Sequence, residues 1–328
     1  MGTAGFFLLF GTQKPPPHCH KLFIEFTPDI RYTEDIGKTI QICFTGGTAM
    51  LPAVNFFGTQ VTRMIVGDNP FHANSYIPDM IPGPEMLAYY DQKNVLLAMD
   101  RAWECGYNTI LALASDFMLD TLKVHRKNGG KMNIIFQSFP PADFYERVDM
   151  MAALEPLGIY HQGTTFDELY EQGNFDEIKK RLQCIKDHGI HAAIGTHVPE
   201  RALHAEREDW GADFYVLCLH NTRDRGQARQ SSFITGKPKE IVFEKEDRAL
   251  MFDAIRKIPK PVIAFKIFSG GQMFRNKTPE EISLQAYAAI EETYQNIKPG
   301  DLCAIGVFQR DKDQLQENAE FLRKVLLK

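Results

Sequence analysis

The chain has little that would place it in a specialised class. None of its apolar stretches approaches the roughly 20 residues that a membrane-spanning helix needs, which excludes a helical membrane protein. Its 6 cysteines (Cys19, Cys43, Cys105, Cys184, Cys218 and Cys303) include no Cys-x-x-Cys and no close pair. That spacing excludes a cysteine zinc module and fits reduced thiols in a cytoplasmic protein. Basic charge is not in excess: 37 Lys and Arg against 42 Asp and Glu give a net charge of −5. A nucleic-acid protein held by a basic face is therefore not expected, and the partner class is a small-molecule substrate. No heptad or zipper pattern is present, so the sequence leaves the oligomeric state open. What remains is a chain of 328 residues, 44% apolar and 24% charged, with ordinary globular composition and enough length for a large core.

Residues 1–55 differ from the rest and read as an N-terminal extension, irregular or forming short strands. The apolar run Gly5–Gly11 has no basic residue before it and is short for a signal-peptide core. Pro15-Pro16-Pro17 favours an extended backbone, and His18, Cys19 and His20 follow in a segment without period. From about residue 56 to 328 the pattern changes to alternating strand and helix. A β-type run at Val61–Gly67 leads to an amphipathic helix near Gln92–Cys105, ended by Gly106. Strands are expected at Thr109–Leu113, Met132–Gln137, Leu157–His161, His191–Thr196, Phe214–Leu219, Val262–Ile267 and Leu302–Val307. Helices between them are expected near 117–128, 142–154, 165–187, 199–208, 245–256, 279–296 and 312–327, with Thr165 and Asp167 as candidate caps of the fourth. Eight such units in order predict one α/β domain, a (β/α)8 TIM barrel; an open doubly wound sheet is the competing arrangement.

A barrel of this kind carries its chemistry at the C-terminal ends of the strands. The polar residues there are Asp68 and Asn69, Asp116, Gln137, His161, His197, His220 and Asn221, and Lys266. Such a concentration of polar groups costs stability unless they are paired, and so points to function. Lys266 has two readings. An inward lysine is a Schiff-base nucleophile or proton carrier, whereas an outward one lays its stem on a helix. His161, His197 and His220 end three successive strands, the arrangement that could hold one divalent metal. Gly270-Gly271 after the seventh strand and Arg310 after the eighth occupy the loops where barrels bind phosphate. A polar insertion at about 221–240, with Arg223, Arg225, Arg229 and Lys237, reads as a solvated loop or a lid that draws an acidic substrate.

Five segments in order give a family resemblance over about residues 57–327. These are FGTQVTRMIVGDNPF, AMDRAWECGYNTILALASD, IGTHVPERALHA, VIAFKIFSGGQM and AIGVFQRDKDQLQENAEFL. In this order they resemble the aldo/keto reductase superfamily. The resemblance implies a barrel that binds NAD(P). Phe265 would stack on the nicotinamide, and Arg310 would stand in for the basic residues at the 2′-phosphate, whose positions hold Phe308 and Gln314; Gly270 and Gly271 keep the phosphate-loop reading given by the fold. Glu317 and Asn318 would lie on the adenine side. Of that family's Asp, Tyr, Lys and His, only the His matches, as His161. The Asp falls at Leu111, the Tyr near Asp116 and the Lys at Gln137.

The expectation is a divergent enzyme of this kind, acting on a small carbonyl or sugar-like substrate with a nicotinamide cofactor. His161 would hold the substrate oxygen, and Asp116 or Lys266 would transfer the proton. Asp68, Asn69, Gln137 and Asn221 would bind substrate. Two alternatives stand beside it. One is a metal-assisted lyase, isomerase or hydrolase using His161, His197 and His220. The other is a barrel that binds a ligand or regulates without turnover.

Overall fold

The computed structural model describes residues 49–140, 142–223 and 241–327. Eight parallel strands close into a barrel in the order β10-β3-β4-β5-β6-β7-β8-β9. Their spans are β3 Met64–Gly67, β4 Thr109–Leu113, β5 Asn133–Gln137, β6 Gly158–His161, β7 His191–Thr196, β8 Phe214–Cys218, β9 Val262–Phe265 and β10 Leu302–Gly306. Pairing of Cys303 with Met64 and of Leu302 with Ile263 closes the circle through β10. The fold is the expected (β/α)8 barrel.

Alternation along the strands sorts the core into two sets. Ile65, Leu111, Ile135, Tyr160, Ala193, Val216, Ile263 and Ala304 form the inward cluster. Their strand neighbours Val66, Ala112, Phe136, Ile159, Ile194 and Leu217 belong to the larger cluster that the helices cover. Small residues make room for large ones inside. A Cβ on Gly158 would lie 2.7 Å from the Phe214 ring, and one on Gly195 would lie 2.8 Å from the Tyr160 ring.

The run read as one strand at Val61–Gly67 is two elements. Ala53–Phe56 (β1) and Thr59–Thr62 (β2) pair antiparallel, with Phe56 opposite Thr59. The two linking residues, Phe57 (φ 50°) and Gly58 (φ 87°), both have positive φ, which matches the right-handed twist of a two-residue hairpin. Phe56 and Val61 join the inward cluster, with the Phe56 ring 5.2 Å from that of Phe214. Since Phe214 is the first residue of β8, this hairpin covers the N-terminal end of the barrel, opposite the strand ends that carry chemistry. Leu51 is buried, and its N–H donates to Gly106 O. Residues 51–55 thus pack with the barrel; residues 1–48 lie outside the described residues.

The helix expected over 165–187 is also two, Gly163–Glu171 and Phe175–Asp187, separated at Gly173 (φ 69°). Its cap is Gln162, whose Oε1 accepts the Thr165 N–H at 2.8 Å, rather than Thr165 or Asp167. Asp167 is instead fully buried and accepts from Thr196 Oγ1 at 2.6 Å. A helix at Gly83–Tyr89 was not expected, and Pro82 before it gives the extended entry. The Pro279–Asn296 helix matches expectation and carries a complete capping box between Thr278 and Glu281. The insertion falls mostly on residues 224–240, outside the described residues. Among the described residues no helix is long and apolar enough to cross a membrane.

Candidate functional site

One cavity of ≈ 280 Å³ opens at the C-terminal ends of the strands. Its floor is inside the barrel, at Leu111, Tyr160 and Ala304, and its rim carries Asp68, Asn69, Gln137 and Lys266. It continues outward beneath residues 74–81 to the Pro279–Asn296 and Gln314–Leu326 helices, where Ile282, Ala286, Glu317 and Asn318 line it.

Lys266 reaches this cavity because the backbone turns under it. Along β9, Val262 and Ala264 face the helices, while Ile263 and Phe265 pack with the inward cluster. Continued alternation would send Lys266 outward with Ala264. The strand ends at Phe265, and Lys266 adopts φ 61°, a left-handed conformation that costs a non-glycine residue about 1–2 kcal/mol. The turn brings its ammonium over the rings of Tyr76 (4.7 Å), Phe243 (5.3 Å) and Phe265 (5.6 Å). Aromatic faces of this kind attract a cation. Burial alone would lower the lysine pKa. The neighbouring Tyr76 and Cys218, together with a hydrogen bond to Tyr76, outweigh it and hold the group above its ordinary value. Lys266 is therefore a protonated lysine at neutral pH, suited to polarising an oxygen rather than to acting as a free amine nucleophile.

Tyr76 lies in the loop after β3, and its hydroxyl also receives Asn74 Nδ2 at 3.2 Å. A second phenol stands below. Tyr160 is inward on β6 and donates its O–H to Gln137 Oε1. Burial pushes the Tyr160 phenol well above its usual pKa, and the nearby Asp68 and Tyr76 add to the shift. Asp68 and Tyr76 are thus both within electrostatic reach of Tyr160. The Asp68 carboxylate is anchored through one oxygen: Oδ2 accepts the Leu113 N–H at 2.6 Å and meets His72 Nε2 at 2.9 Å.

The structure therefore brings together Asp68, Asn69, Gln137, Phe265 and Lys266 in one cavity, with Gly270, Gly271, Glu317 and Asn318 along its extension. It does not bring His161, Asp116, Asn221 or Arg310 there. His161 is next to an inward residue and so faces the helices. There it stacks on Phe144 at 5.7 Å, donates from Nδ1 to Gln162 O at 3.2 Å and accepts Arg181 Nη1 at 3.3 Å. Burial, and then the Arg181 charge, push its pKa down to about 3, so it is a neutral structural imidazole. Asp116 opens the Asp116–Lys127 helix with a solvent-facing carboxylate that pairs with Arg147 at 2.5 Å. Asn221 uses its N–H on Asp247 and its Oδ1 on the Arg223 N–H. Arg310 is at the surface against Glu85 and Asp311.

The three histidines expected to share a metal do not converge. His197 Nδ1 meets Asp167 at 2.9 Å. His220 donates from Nδ1 to Glu244 O at 2.9 Å and accepts from Ser269 Oγ at 3.1 Å, and burial lowers its pKa to about 4. Each has its own partners on a different element. Among the described residues no group of three His, Cys, Asp or Glu side chains could hold a metal ion.

The expected phosphate loop is also filled. Gly270 (φ 59°) and Gly271 (φ 92°) are both left-handed. A Cβ on them would lie 2.8 Å from Tyr76 and 2.8 Å from Ile77, respectively. These glycines admit the loop after β3, not an anion. Nearby cations are already paired: Lys312 with Glu317 at 2.6 Å and Arg275 with Asp79 at 2.9 Å. Among the described residues, this donor set does not fit a dinucleotide pyrophosphate.

Sequence reasoning missed Tyr76 and Tyr160. For Tyr160 the signal existed: alternation allows only one of Tyr160 and His161 to face inward. For Tyr76 there was none, since its loop has no period.

No protein-family model matches the chain, and no curated protein matches it. Solved structures share its architecture. The holo form of the aldo-keto reductase AKR11C1 from Bacillus halodurans is 13% identical, with a TM-score of 0.51 over 83% of this chain and 90% of that one. The apo form of Gox0644 is 11% identical, with a TM-score of 0.52 over 84% and 94%. Dihydropteroate synthase from Yersinia pestis is 10% identical, with a TM-score of 0.49 over 83% and 96%. At these identities the first two likenesses show the fold alone, a TIM barrel.

Proposed function

We propose that the chain is an enzyme that moves a proton next to the carbonyl group of a small molecule. The observation that carries this reading is the Lys266 ammonium held against the Tyr76 phenol inside the cavity. A carbonyl oxygen seated between them would meet a positive charge and an O–H donor aimed from the protein. Both stabilise the negative charge that grows on that oxygen as an α-hydrogen leaves. Asp68 supplies the base. Its Oδ2 is anchored by Leu113 N–H and His72, which fixes the carboxylate beside the same cavity. Tyr160 and Gln137, hydrogen-bonded to each other, line the cavity and orient the substrate from below. Water is limited by the Tyr76–Ile77 loop lying over Gly270-Gly271.

The test is α-proton exchange. The full-length chain is incubated in D2O with a panel of small aldehydes and ketones, and deuterium entry is followed by NMR. Wild type should exchange one or more of them. Lys266→Met, Tyr76→Phe and Asp68→Asn should each slow exchange by about 10²–10⁴-fold, the usual contribution of a positioned acid or base. No exchange across the panel, or variants as fast as wild type, would remove the reading.

A further inference from the structure

The cavity has two unlike parts. The inner part is polar and belongs to Asp68, Gln137, Tyr160, Tyr76 and Lys266. The outer arm runs between the end of β10 and the Pro279–Asn296 and Gln314–Leu326 helices, and its walls are mostly apolar, with Asn318 among them. Met86, Ala286, Ile305 and Phe308 are its buried walls, each no more than 5% exposed, and Ile282 and Phe274 extend them. The charged groups at its end are spent on one another. Lys312 Nζ meets Glu317 at 2.6 Å and Ser283 Oγ at 3.2 Å, while Ser283 donates to Glu317 at 2.5 Å. Gln314 Oε1 takes the Phe308 N–H at 2.9 Å.

We propose that this arm binds the apolar tail of the substrate, so that the substrate class is a carbonyl compound carrying a medium-length alkyl chain. This rests on the carbonyl-polarising reading of Lys266 and Tyr76. The head would sit at those two groups, and the tail would leave the barrel axis past Ile305 and Phe308 toward Ala286. Thioether and aliphatic walls accept a flexible chain without fixed geometry. The cavity volume of ≈ 280 Å³ is just below the roughly 300–1,000 Å³ of pockets for drug-sized ligands, a size that suits a small head with one tail. The arm that the family resemblance assigns to the adenine side is thus matched, in this chain, to a tail of the substrate itself.

Calorimetric titration of the full-length chain with 2-butanone, 2-hexanone and 2-octanone tests the proposal, with the matching 2-alkanols and NADPH run beside them. Affinity should rise about three- to fourfold for each added methylene, the transfer value of a buried CH₂. Ala286→Phe places a ring in the arm and should flatten the series. Ala286→Leu should flatten it partly, which covers the case in which the larger variant does not fold. A flat series in wild type overturns the proposal and leaves the carbonyl reading standing. Equal length dependence for ketones and alkanols, unaffected by Lys266→Met, supports the arm but removes the carbonyl reading. Micromolar NADPH binding that Ala286→Phe abolishes overturns the tail in favour of a nucleotide.

Discussion

Gly195→Ala reads out how tightly the barrel interior is set around the candidate site. Gly195 is in β7, facing Tyr160 across the barrel wall. Its added methyl would lie 2.8 and 2.9 Å from Tyr160 Cδ2 and Cε2, and 3.0 Å from His161 O. The ring can move only by breaking the Tyr160–Gln137 hydrogen bond, and the carbonyl is part of the β6–β7 ladder. Overpacking of this kind costs about 1–3 kcal/mol. Urea unfolding should show a lower midpoint with an unchanged m-value, and thermal unfolding a fall of roughly 2–4 °C per kcal/mol for a domain of this size. Because the clash is with one ring, a double-mutant cycle with Tyr160→Ala isolates it. Tyr160→Ala alone should cost about 3–5 kcal/mol. The pair should be at least 1 kcal/mol less destabilised than the sum, as contacting residues are. Additive costs, or a Gly195→Ala protein as stable as wild type, would refute the packing argument and with it the inward placement of Tyr160.

The buried imidazoles set an acid limit. His161 and His220 titrate near 3 and 4 in the folded chain, against about 6.5 unfolded. The unfolded state therefore binds protons that the folded state refuses, and stability present above pH 6.5 declines as pH falls toward 4. For His161 the loss should be of order 3 kcal/mol by pH 4, and His161→Gln should reduce the slope of midpoint against pH. Asp116→Ala removes an exposed carboxylate far from the cavity and should leave ketone binding and α-proton exchange unchanged; a loss of either would return Asp116 to the site. Lys266→Gly should be about 1 kcal/mol more stable than Lys266→Ala, since only glycine adopts φ 61° without strain. Equal stability of the two would show that the turn relaxes when the lysine is removed.

The barrel was legible because its signal is repetition. Apolar strands such as Thr109–Leu113 and His191–Thr196, each followed by a helix with a cap or a closing glycine, specify their own spans locally. The breaks were less legible. The hairpin turn at Phe57-Gly58 lacks the Asn-Gly signature, and the stop at Gly173 is a single residue inside a long amphipathic pattern. Side-chain direction at the strand ends was the main loss. Asp68, Gln137 and Lys266 were identified from position alone, and the cavity contains them. His161 stands at a strand end and matches the family's His, but alternation gives the inward place to Tyr160. Tyr76 enters the cavity through a loop whose conformation depends on what it packs against, here Gly270 and Gly271, about 190 residues away in sequence. No local pattern encodes such a contact.

The distribution of backbone strain is consistent with where the chemistry is placed. Of the non-glycine residues with positive φ, Lys266 and Ser269 follow β9 within a few residues, in the segment that also holds Gly270 and Gly271. Elsewhere such residues are single and sit at hairpins or helix ends, as Phe57 and Asp209 do. A barrel strand needs no left-handed residue to join its helix. A turn that drives a lysine back over the barrel mouth does, and the aromatic faces of Tyr76, Phe243 and Phe265 compensate by holding the ammonium in place. Ser269 extends the same argument. Its left-handed turn puts Oγ on the Nε2 of His220, whose Nδ1 is fixed by Glu244 O, so the imidazole stays neutral and the β8 end is tied to the β9 loop. The strained segment is thereby pinned on both sides, by Tyr76 above and His220 behind, as a cation held in one position for a substrate oxygen requires.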